Sequence, residues 1–332
     1  MKGCEILKKI GICTLNEACN MGAILQAFAM QETLKNMGYE PEFLKLENCI
    51  IHDEGRITPE FLKMREHLNI SSKYYNPNED KYDAIIVGSD ELWNVQEPSF
   101  EHIDEFLGYN LNATKVIAYA PGANKTNGKV FEEYYKGTKN LDNFTSLSAR
   151  DTNALDIIKT VAKVDAPLLV DPTVLIDSYE PYMEKCEEKD FILVYGWSFS
   201  EEEKQAVINF AKKKNLPLYS VGYELDWCDK FIGSNVFKFL GYMKNATYAV
   251  TSETFHGTIF SIIFNKQFVT MTHGRFKTKE LVERVNIQDR DCKTPEQILE
   301  KLEEELDYTK VNEWIENEKK KSLEYLRKAI EE

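Results

Sequence analysis

The sequence predicts an α/β protein with two doubly wound domains that face each other across a cleft. Short β-type apolar runs alternate with amphipathic helical stretches along 10–161, and the same alternation returns along 190–271. Alternation of this kind is typical of βαβ units, which form parallel sheets through right-handed crossovers. The length of 332 residues also corresponds to about two domains.

The two domains are expected to divide close to the middle of the chain. We predict an N-terminal domain over 1–165, a C-terminal domain over 166–310, and a last helix over 311–332 that packs back on the N-terminal domain. Ligands of doubly wound sheets bind at the carboxyl ends of the strands, and clefts between domains are favoured sites. The loops at predicted strand ends are therefore the places to look for chemistry.

The first half begins with a β-type run over 10–14 and a loop rich in Asn and Gly. A helix is predicted over 23–37, because apolar residues recur at helical spacing and Gly38 supplies a stop. The next elements are strands at 42–46, 82–88, 115–120 and 146–149, and a helix at 152–161. The run over 82–88 is continuously apolar near its end, as in a buried parallel strand. Residues 47–80 are polar and irregular, which indicates helical or loop cover.

The second half repeats this pattern after a join near 165–188. Its predicted strands are 168–172, 190–195, 216–221, 248–251 and 266–271. Its predicted helices are 201–214, 258–264 and two within 295–332. Trp314, Ile315, Leu323, Leu326 and Ile330 are the expected packing positions of the charged C-terminal segment.

Composition and charge exclude several classes of protein. Hydrophobic residues make up 43% of the chain and charged residues 29%, which are ordinary globular values. The net charge of −14 argues against binding to nucleic acid and against adsorption on an anionic membrane. Apolar runs such as 84–87 are too short to span a bilayer, and residues 1–15 lack a signal-peptide cleavage site. We expect a cytoplasmic protein without stable membrane insertion.

Common cofactor and nucleophile motifs are missing from the sequence. The seven cysteines are scattered without a CxxC pair, and the five histidines show no metal-ligand spacing, so neither a disulfide framework nor a metal site is predicted. There is no GxxxxGK[ST] loop, no GxGxxG after the first strand and no GxSxG elbow. These absences argue against an NTPase, a dinucleotide enzyme and an α/β-hydrolase.

Segments at the predicted strand ends resemble the polysaccharide pyruvyl transferase family, in the family's order. They are 20–29 (NMGAILQAFA), 87–94 (VGSDELWN), 119–122 (YAPG), 148–151 (SARD), 170–173 (VDPT) and 252–257 (SETFHG). Met21 stands where the family usually has an aromatic residue, Glu91 stands for Gln, and Glu253-Thr254 stands for Asp-Ser. Each segment alone is weak evidence, whereas the ordered set is specific.

The resemblance implies two Rossmann-like domains in an arrangement similar to glycosyltransferase-B enzymes. Family members transfer a pyruvyl group from phosphoenolpyruvate to a saccharide and form a pyruvate ketal, in the biosynthesis of cell-surface polysaccharides. The acceptor would be a saccharide or a lipid-linked oligosaccharide, with phosphoenolpyruvate as donor substrate and no further cofactor. The N-terminal domain would bind the acceptor and the C-terminal domain the donor.

For this chemistry, His256 is the candidate acid, because histidine can protonate the enol carbon near neutral pH. Arg150 is the candidate second catalytic residue and donor ligand, since a guanidinium binds carboxylate and phosphate bidentately. Further donor-binding candidates are Arg275, Lys277, Thr254 and Gly257, and His273 is a weaker one. The alternatives are a capping or core histidine at 256 and a surface salt bridge between Arg150 and Asp151.

The acceptor-binding candidates lie in the first half of the chain: Asn20, Gly22, Asp90 and Trp93. Asn20 could instead cap the first helix, and Gly22 could shape its loop. Asp90 would orient a sugar hydroxyl or cap a following helix, and Trp93 would stack on a sugar or pack in the core. Asp171 is expected in a structural turn, and Glu253 would polarise His256 or cap its helix.

Two other functions compete with pyruvyl transfer. A nucleotide-sugar glycosyltransferase could use the same fold, although no Glu-x₇-Glu-type pattern stands out near His256. A degenerate family member could bind a saccharide without catalysis, which the departures at Met21, Glu91 and Glu253 keep open. Two or more cations beside His256 would favour the pyruvyl transferase.

Overall fold

Each half of the chain builds its own five-stranded parallel sheet, which confirms the predicted α/β class with two doubly wound halves. The computed structural model describes residues 7–16, 18–49 and 59–332. Unit 1 contains the chain up to Asp177 together with Asn317–Glu332, and unit 2 contains Ser178–Glu316. The predicted cleft between the halves stays a prediction. The predictions about residues 1–6, which include Cys4, and about residues 50–58, which include His52, concern positions outside the described residues.

The sheet of unit 1 has the strand order β3-β2-β1-β4-β5. Its strands are β1 (Lys9–Cys13), β2 (Glu40–Lys45), β3 (Ile70–Tyr74), β4 (Tyr82–Val87) and β5 (Ala113–Ala118). Its helices are α1 (Met21–Asn36), α2 (Pro59–Arg65), α3 (Gly128–Tyr135) and α4 (Thr152–Val161). The strand order reverses between β1 and β4, which pair in parallel with Ile12 opposite Ile86. Such a reversal is where Rossmann-type sheets bind ligands.

The sheet of unit 2 has the order β10-β9-β6-β7-β8, which is the same topology numbered from β6. Its strands are β6 (Ile192–Gly196), β7 (Leu218–Ser220), β8 (Lys230–Phe231), β9 (Tyr248–Ser252) and β10 (Gln267–Met271). The helices that begin in this unit are α5 (Glu201–Lys214), α6 (Val236–Asn245), α7 (Phe255–Ile263), α8 (Phe276–Arg284), α9 (Pro295–Glu303) and α10 (Thr309–Glu331). The order reverses between β6 and β9.

Local sequence explains most of these elements. The Asn20 side chain accepts hydrogen bonds from the Gly22 and Ala23 amides and begins α1, so the predicted cap is confirmed. Helix α5 begins with a capping box between Ser200 and Glu203. Strands β4 and β6 are almost wholly buried, as their apolar runs predict.

The differences from the sequence prediction concern short or polar elements. The predicted strand 146–149 contributes only isolated bridges, from Ser146 to Ile117 and from Ala149 to Leu168. Strands β3 and β8 were not predicted, because both are largely exposed and carry no apolar alternation. Helices α3, α6 and α8 were also missed.

The charged C-terminal segment forms α9 and α10, the two helices predicted there. On α10, Leu326 and Ile330 are buried, whereas Trp314, Ile315 and Leu323 are only half-buried. Among the described residues, no helix combines the length and apolar character that a membrane crossing needs.

Candidate functional site

The loop after β4 brings the first group of candidate residues to the carboxyl edge of the unit 1 sheet. Gly88 has a φ of +121°, and a Cβ there would lie 2.2 Å from the Tyr119 carbonyl oxygen, so only glycine fits. Asp90 follows with a φ of 70°. Its backbone oxygen accepts from the Gly122 amide at 2.7 Å, and its carboxylate accepts from the Glu91 amide at 2.9 Å. No helix begins at this loop, so the predicted helix-capping alternative for Asp90 does not apply.

Arg150 is enclosed by carboxylates of unit 1. It is 4% exposed, its Nη1 donates to Asp171 Oδ2 at 2.7 Å, and its Nη2 lies 3.8 Å from Asp90 Oδ1. Burial alone would lower the pKa of Arg150, but Asp171, Asp90 and Asp151 outweigh burial and raise it. The guanidinium therefore stays charged inside a ring of carboxylates. We call these four residues the buried ion cluster.

Asp151 ties this cluster to the backbone. Its carboxylate caps α4 by accepting from the Ala154 amide at 2.8 Å, and it accepts from the Ala123 amide at 2.9 Å. Burial raises the pKa of Asp151, although these amides and Arg150 oppose the shift. The pairing of Arg150 is therefore buried, which differs from the surface salt bridge that the sequence offered as the alternative to donor binding.

Trp93 lies in the core of unit 1. It is 0% exposed, its indole Nε1 donates to the Phe106 carbonyl oxygen at 2.9 Å, and its ring meets Phe144 edge-on. Its ring presents no face on which a sugar could stack, so core packing, the second of the two predicted alternatives, describes this residue. Gly22 is buried in the first turn of α1, and Asn20 is exposed at its cap.

Helix α7 positions His256 at the carboxyl edge of the unit 2 sheet. Strand β9 ends at Ser252, Glu253 turns the chain with a φ of 55°, and Thr254 is the N-cap. The Thr254 hydroxyl donates to the Tyr195 carbonyl oxygen at 3.0 Å rather than capping helical amides. His256 is the second residue of α7 and is 7% exposed.

Gly257 lets α7 begin close to the sheet. A Cβ at this position would lie 2.4 Å from Thr254 Oγ1 and 2.9 Å from Tyr195 Cδ1.

We predict that Gly257→Ala destabilises unit 2 by about 1–3 kcal/mol, because the added methyl group overpacks the junction of α7, β6 and β9. Thermal unfolding measures the loss. Thr254→Ala removes the nearest atom, so the double variant should lose less than the sum of the two single changes; strictly additive losses would contradict this explanation.

A charged network joins the loops that follow β9 and β10. His273 Nε2 lies 2.9 Å from Glu203 Oε1, and its Nδ1 lies 3.4 Å from Glu253 Oε1. The second oxygen of Glu253 lies 3.4 Å from Arg275 Nε, and the guanidinium carbon stands 5.0 Å from the centre of the Trp197 ring. The Glu253 carboxylate thus lies between the His273 ring and the Arg275 guanidinium.

This edge of unit 2 is suited to an anion. Helices α7 and α8 follow the neighbouring strands β9 and β10, and neither N-cap residue bonds helical amides through its side chain. Arg275 is the N-cap of α8, and Lys277 Nζ lies 5.9 Å from the ring centre of Phe255, the residue before His256. Helix N-termini and cations favour phosphate and carboxylate groups. Glu253 and Glu203 offset part of this positive potential.

Sequence reasoning missed two exposed aromatic residues at the same edge. Trp197 comes directly after β6, and Tyr223 follows β7. The sequence could have indicated Trp197, because this residue directly follows the apolar run of a predicted strand, where ligands of such sheets bind. Over the described ranges, no group of three or more His, Cys, Asp or Glu side chains is placed to hold a metal ion.

The chain is similar to one protein family in sequence and to several solved structures in fold. A family model described as polysaccharide pyruvyl transferase matches residues 20–275. No curated protein matches the chain. A solved structure of the glycosyltransferase of kitacinnamycin is similar at 9% identity with a TM-score of 0.51, covering 97% of both chains. This similarity shows a shared fold and confirms the expected glycosyltransferase-B-like class.

Two other solved structures are similar at lower scores. S. aureus MnaA, in a structure with UDP, is 13% identical with a TM-score of 0.48 and covers 92% of this chain and 94% of its own. The spinosyn rhamnosyltransferase SpnG is 9% identical with a TM-score of 0.49 and covers 97% of this chain and 99% of its own.

Proposed function

We propose that this chain, which belongs to the polysaccharide pyruvyl transferase family, transfers a pyruvyl group from phosphoenolpyruvate to a saccharide and forms a pyruvate ketal. The observation that carries the proposal is the placement of His256 in the first turn of α7, with Arg275 and Lys277 at the start of α8, beyond the neighbouring strand. A proton donor and two cations are what a donor with a carboxylate and a phosphate requires.

The reaction can be written with these residues in named roles. His256 donates a proton to the methylene carbon of phosphoenolpyruvate, and positive charge develops at the carbon that bears the phosphate. A sugar hydroxyl adds to that carbon, a second hydroxyl displaces phosphate, and the two hydroxyl protons restore His256 and leave with phosphate. Arg275 and Lys277 hold the carboxylate and phosphate, and amides of the first turn of α7 bind the remaining oxygens.

Thr254 and Gly257 would shape the donor site rather than bind through their side chains, since Thr254 bonds Tyr195 and Gly257 allows the close approach of α7. Arg150 is left out of the donor site, because the buried ion cluster already surrounds its charge. On the acceptor side, Asp90 and Asn20 remain the polar candidates in unit 1.

The acceptor we propose is a saccharide or a lipid-linked oligosaccharide of cell-surface polysaccharide biosynthesis. Phosphoenolpyruvate is a cytoplasmic metabolite, which supports a cytoplasmic site of action. The reaction balances with the donor, two hydroxyl groups and the side chains named above, so the proposal includes no further cofactor.

The donor assignment predicts that Arg275→Ala and Lys277→Ala each weaken phosphoenolpyruvate binding by about tenfold or more, because each removes one charge-assisted contact. Isothermal titration calorimetry measures the dissociation constants. Lys279→Ala is the matched control, since Lys279 lies on the same helix, is exposed and pairs with Glu283; its affinity should equal that of the wild type.

Two results would contradict the proposed function. The first is a silent titration with phosphoenolpyruvate that stays silent when candidate lipid-linked sugars are present. The second is binding and turnover of a nucleotide-sugar by the wild type, which would favour the glycosyltransferase alternative. If Arg275→Ala, Lys277→Ala and Lys279→Ala bind phosphoenolpyruvate with equal affinity, then the donor site lies in another part of the molecule.

A further inference from the structure

Two exposed aromatic rings meet at the carboxyl edge of the unit 2 sheet. Trp197 is 40% exposed and Tyr223 is 37% exposed, although large aromatic side chains are usually covered in a folded domain. Their ring centres lie 5.1 Å apart, with the ring planes at 55°. We call this pair the aromatic corner. Trp93, by contrast, is fully buried in unit 1.

The aromatic corner is supported from below and flanked by polar groups. The ring of Tyr195, which is buried on β6, stacks against Tyr223 at 6.2 Å and 29°. Arg275 stands over Trp197, and Glu253 holds that guanidinium through its Nε. Packing thus fixes the two rings of the aromatic corner. The Arg275 guanidinium, a hydrogen-bond donor, and the Glu253 carboxylate, a hydrogen-bond acceptor, lie beside them.

We propose that the aromatic corner of Trp197 and Tyr223 binds a pyranose ring of the saccharide acceptor. A pyranose has one face of C–H groups, which packs on an aromatic ring, and a rim of hydroxyl groups, which hydrogen-bond to charged side chains. Arg275 supplies a donor and Glu253 an acceptor for such hydroxyls. Phosphoenolpyruvate has no apolar face of this size, so the rings serve the second substrate rather than the donor.

The position of the corner agrees with this role. Trp197 follows β6, whose pairing with β9 forms the point where the strand order reverses, and β9 leads directly to His256. Ligands of doubly wound sheets bind at that point. The choice of a saccharide as ligand rests on the proposed function.

Saturation-transfer difference NMR tests the proposal on the full-length protein with three probes: methyl β-D-glucopyranoside, methyl β-D-galactopyranoside and methyl N-acetyl-β-D-glucosaminide. We expect saturation to pass from aromatic protons to the ring C–H protons of at least one glycoside. Trp197→Ala should weaken the affinity of the protein for that glycoside about tenfold, and Tyr223→Leu should weaken it by a smaller factor. Trp197→Phe should recover part of the loss, because it restores an aromatic face.

Phe231→Ala is the matched control, since Phe231 is a similarly exposed aromatic residue of the same unit, on β8. It should bind the glycosides as the wild type does. The proposal is overturned if none of the glycosides contacts the wild type, or if Trp197→Ala binds as tightly as Phe231→Ala. It is also overturned if uridine diphosphate contacts Trp197 while the glycosides do not.

Calorimetry with phosphoenolpyruvate on the same preparations separates this proposal from the proposed function. Glycoside contact that depends on Trp197, with no donor binding even when candidate lipid-linked sugars are present, supports the aromatic corner and contradicts pyruvyl transfer. Donor binding without glycoside contact that depends on Trp197 overturns the aromatic corner and leaves the proposed donor site intact.

Discussion

Replacement of His256 by glutamine is expected to lower the turnover of phosphoenolpyruvate by about 10²–10⁴-fold, because the side chain that protonates the enol carbon is lost. Glutamine keeps a similar size and hydrogen-bonding ability at a position that is 7% exposed, so the fold should be retained. Phosphate release in the presence of an acceptor measures the turnover, and calorimetry measures the donor affinity. We expect a large fall in kcat with donor affinity changed by less than about tenfold.

His67→Gln is the control, since His67 is exposed in unit 1 and follows α2, away from the candidate residues of that unit. Its turnover should equal that of the wild type. If His256→Gln keeps full turnover, or if it loses activity only because it unfolds, then His256 is a capping or core residue, as the competing interpretation of the sequence had it.

Replacement of Arg150 by methionine is expected to destabilise unit 1 by about 3–5 kcal/mol, because it leaves the carboxylates of the buried ion cluster without their cation. Asp171 accepts from Arg150 at 2.7 Å and is itself buried, so its carboxylate would lose this charged partner and keep neutral donors such as the Thr173 amide and hydroxyl. Thermal unfolding followed by circular dichroism measures the loss. Asp171→Asn should also destabilise the protein, since it removes the negative charge at the shortest contact of the guanidinium.

The surface pair of Lys73 and Asp80 provides the comparison. Lys73 is largely exposed, and its Nζ lies 2.7 Å from Asp80 Oδ1. Lys73→Met should lower the thermal stability far less than Arg150→Met does, because solvent screens such a pair. A variant Arg150→Met that is as stable as Lys73→Met but has lost affinity for phosphoenolpyruvate would refute the structural role and restore the donor-binding role predicted from the sequence.

Most of the fold could be predicted from local patterns. The helices over 152–161 and 201–214 were predicted at the observed bounds, because their amphipathic repeat and their capping residues agree. The strands of both sheet centres were also predicted, since a strand buried on both faces is a continuous apolar run. Strand β8 was missed because two exposed residues at a sheet edge carry no periodic signal.

The candidate site could be predicted in position but not in the role of each side chain. Motifs at strand ends located the loops that follow β4 and β9, and the family was recognised from them. Composition could not tell that Trp93 faces the core while Trp197 faces solvent, because both follow apolar strand runs. Nor could it show that Arg150 is enclosed by Asp171 and Asp90, since these residues are far apart in sequence.

The sequence by itself determined the family, the α/β class, the central strands of both sheets and the placement of His256 after a strand. These properties depend on periodicity, capping and short motifs, all of which act over a few neighbouring residues. Only the tertiary structure decided which charges are neutralised and which rings are exposed. Burial and Coulomb interactions depend on distances between residues such as Arg150 and Asp171, or Glu253 and Arg275, and packing of the whole unit sets those distances.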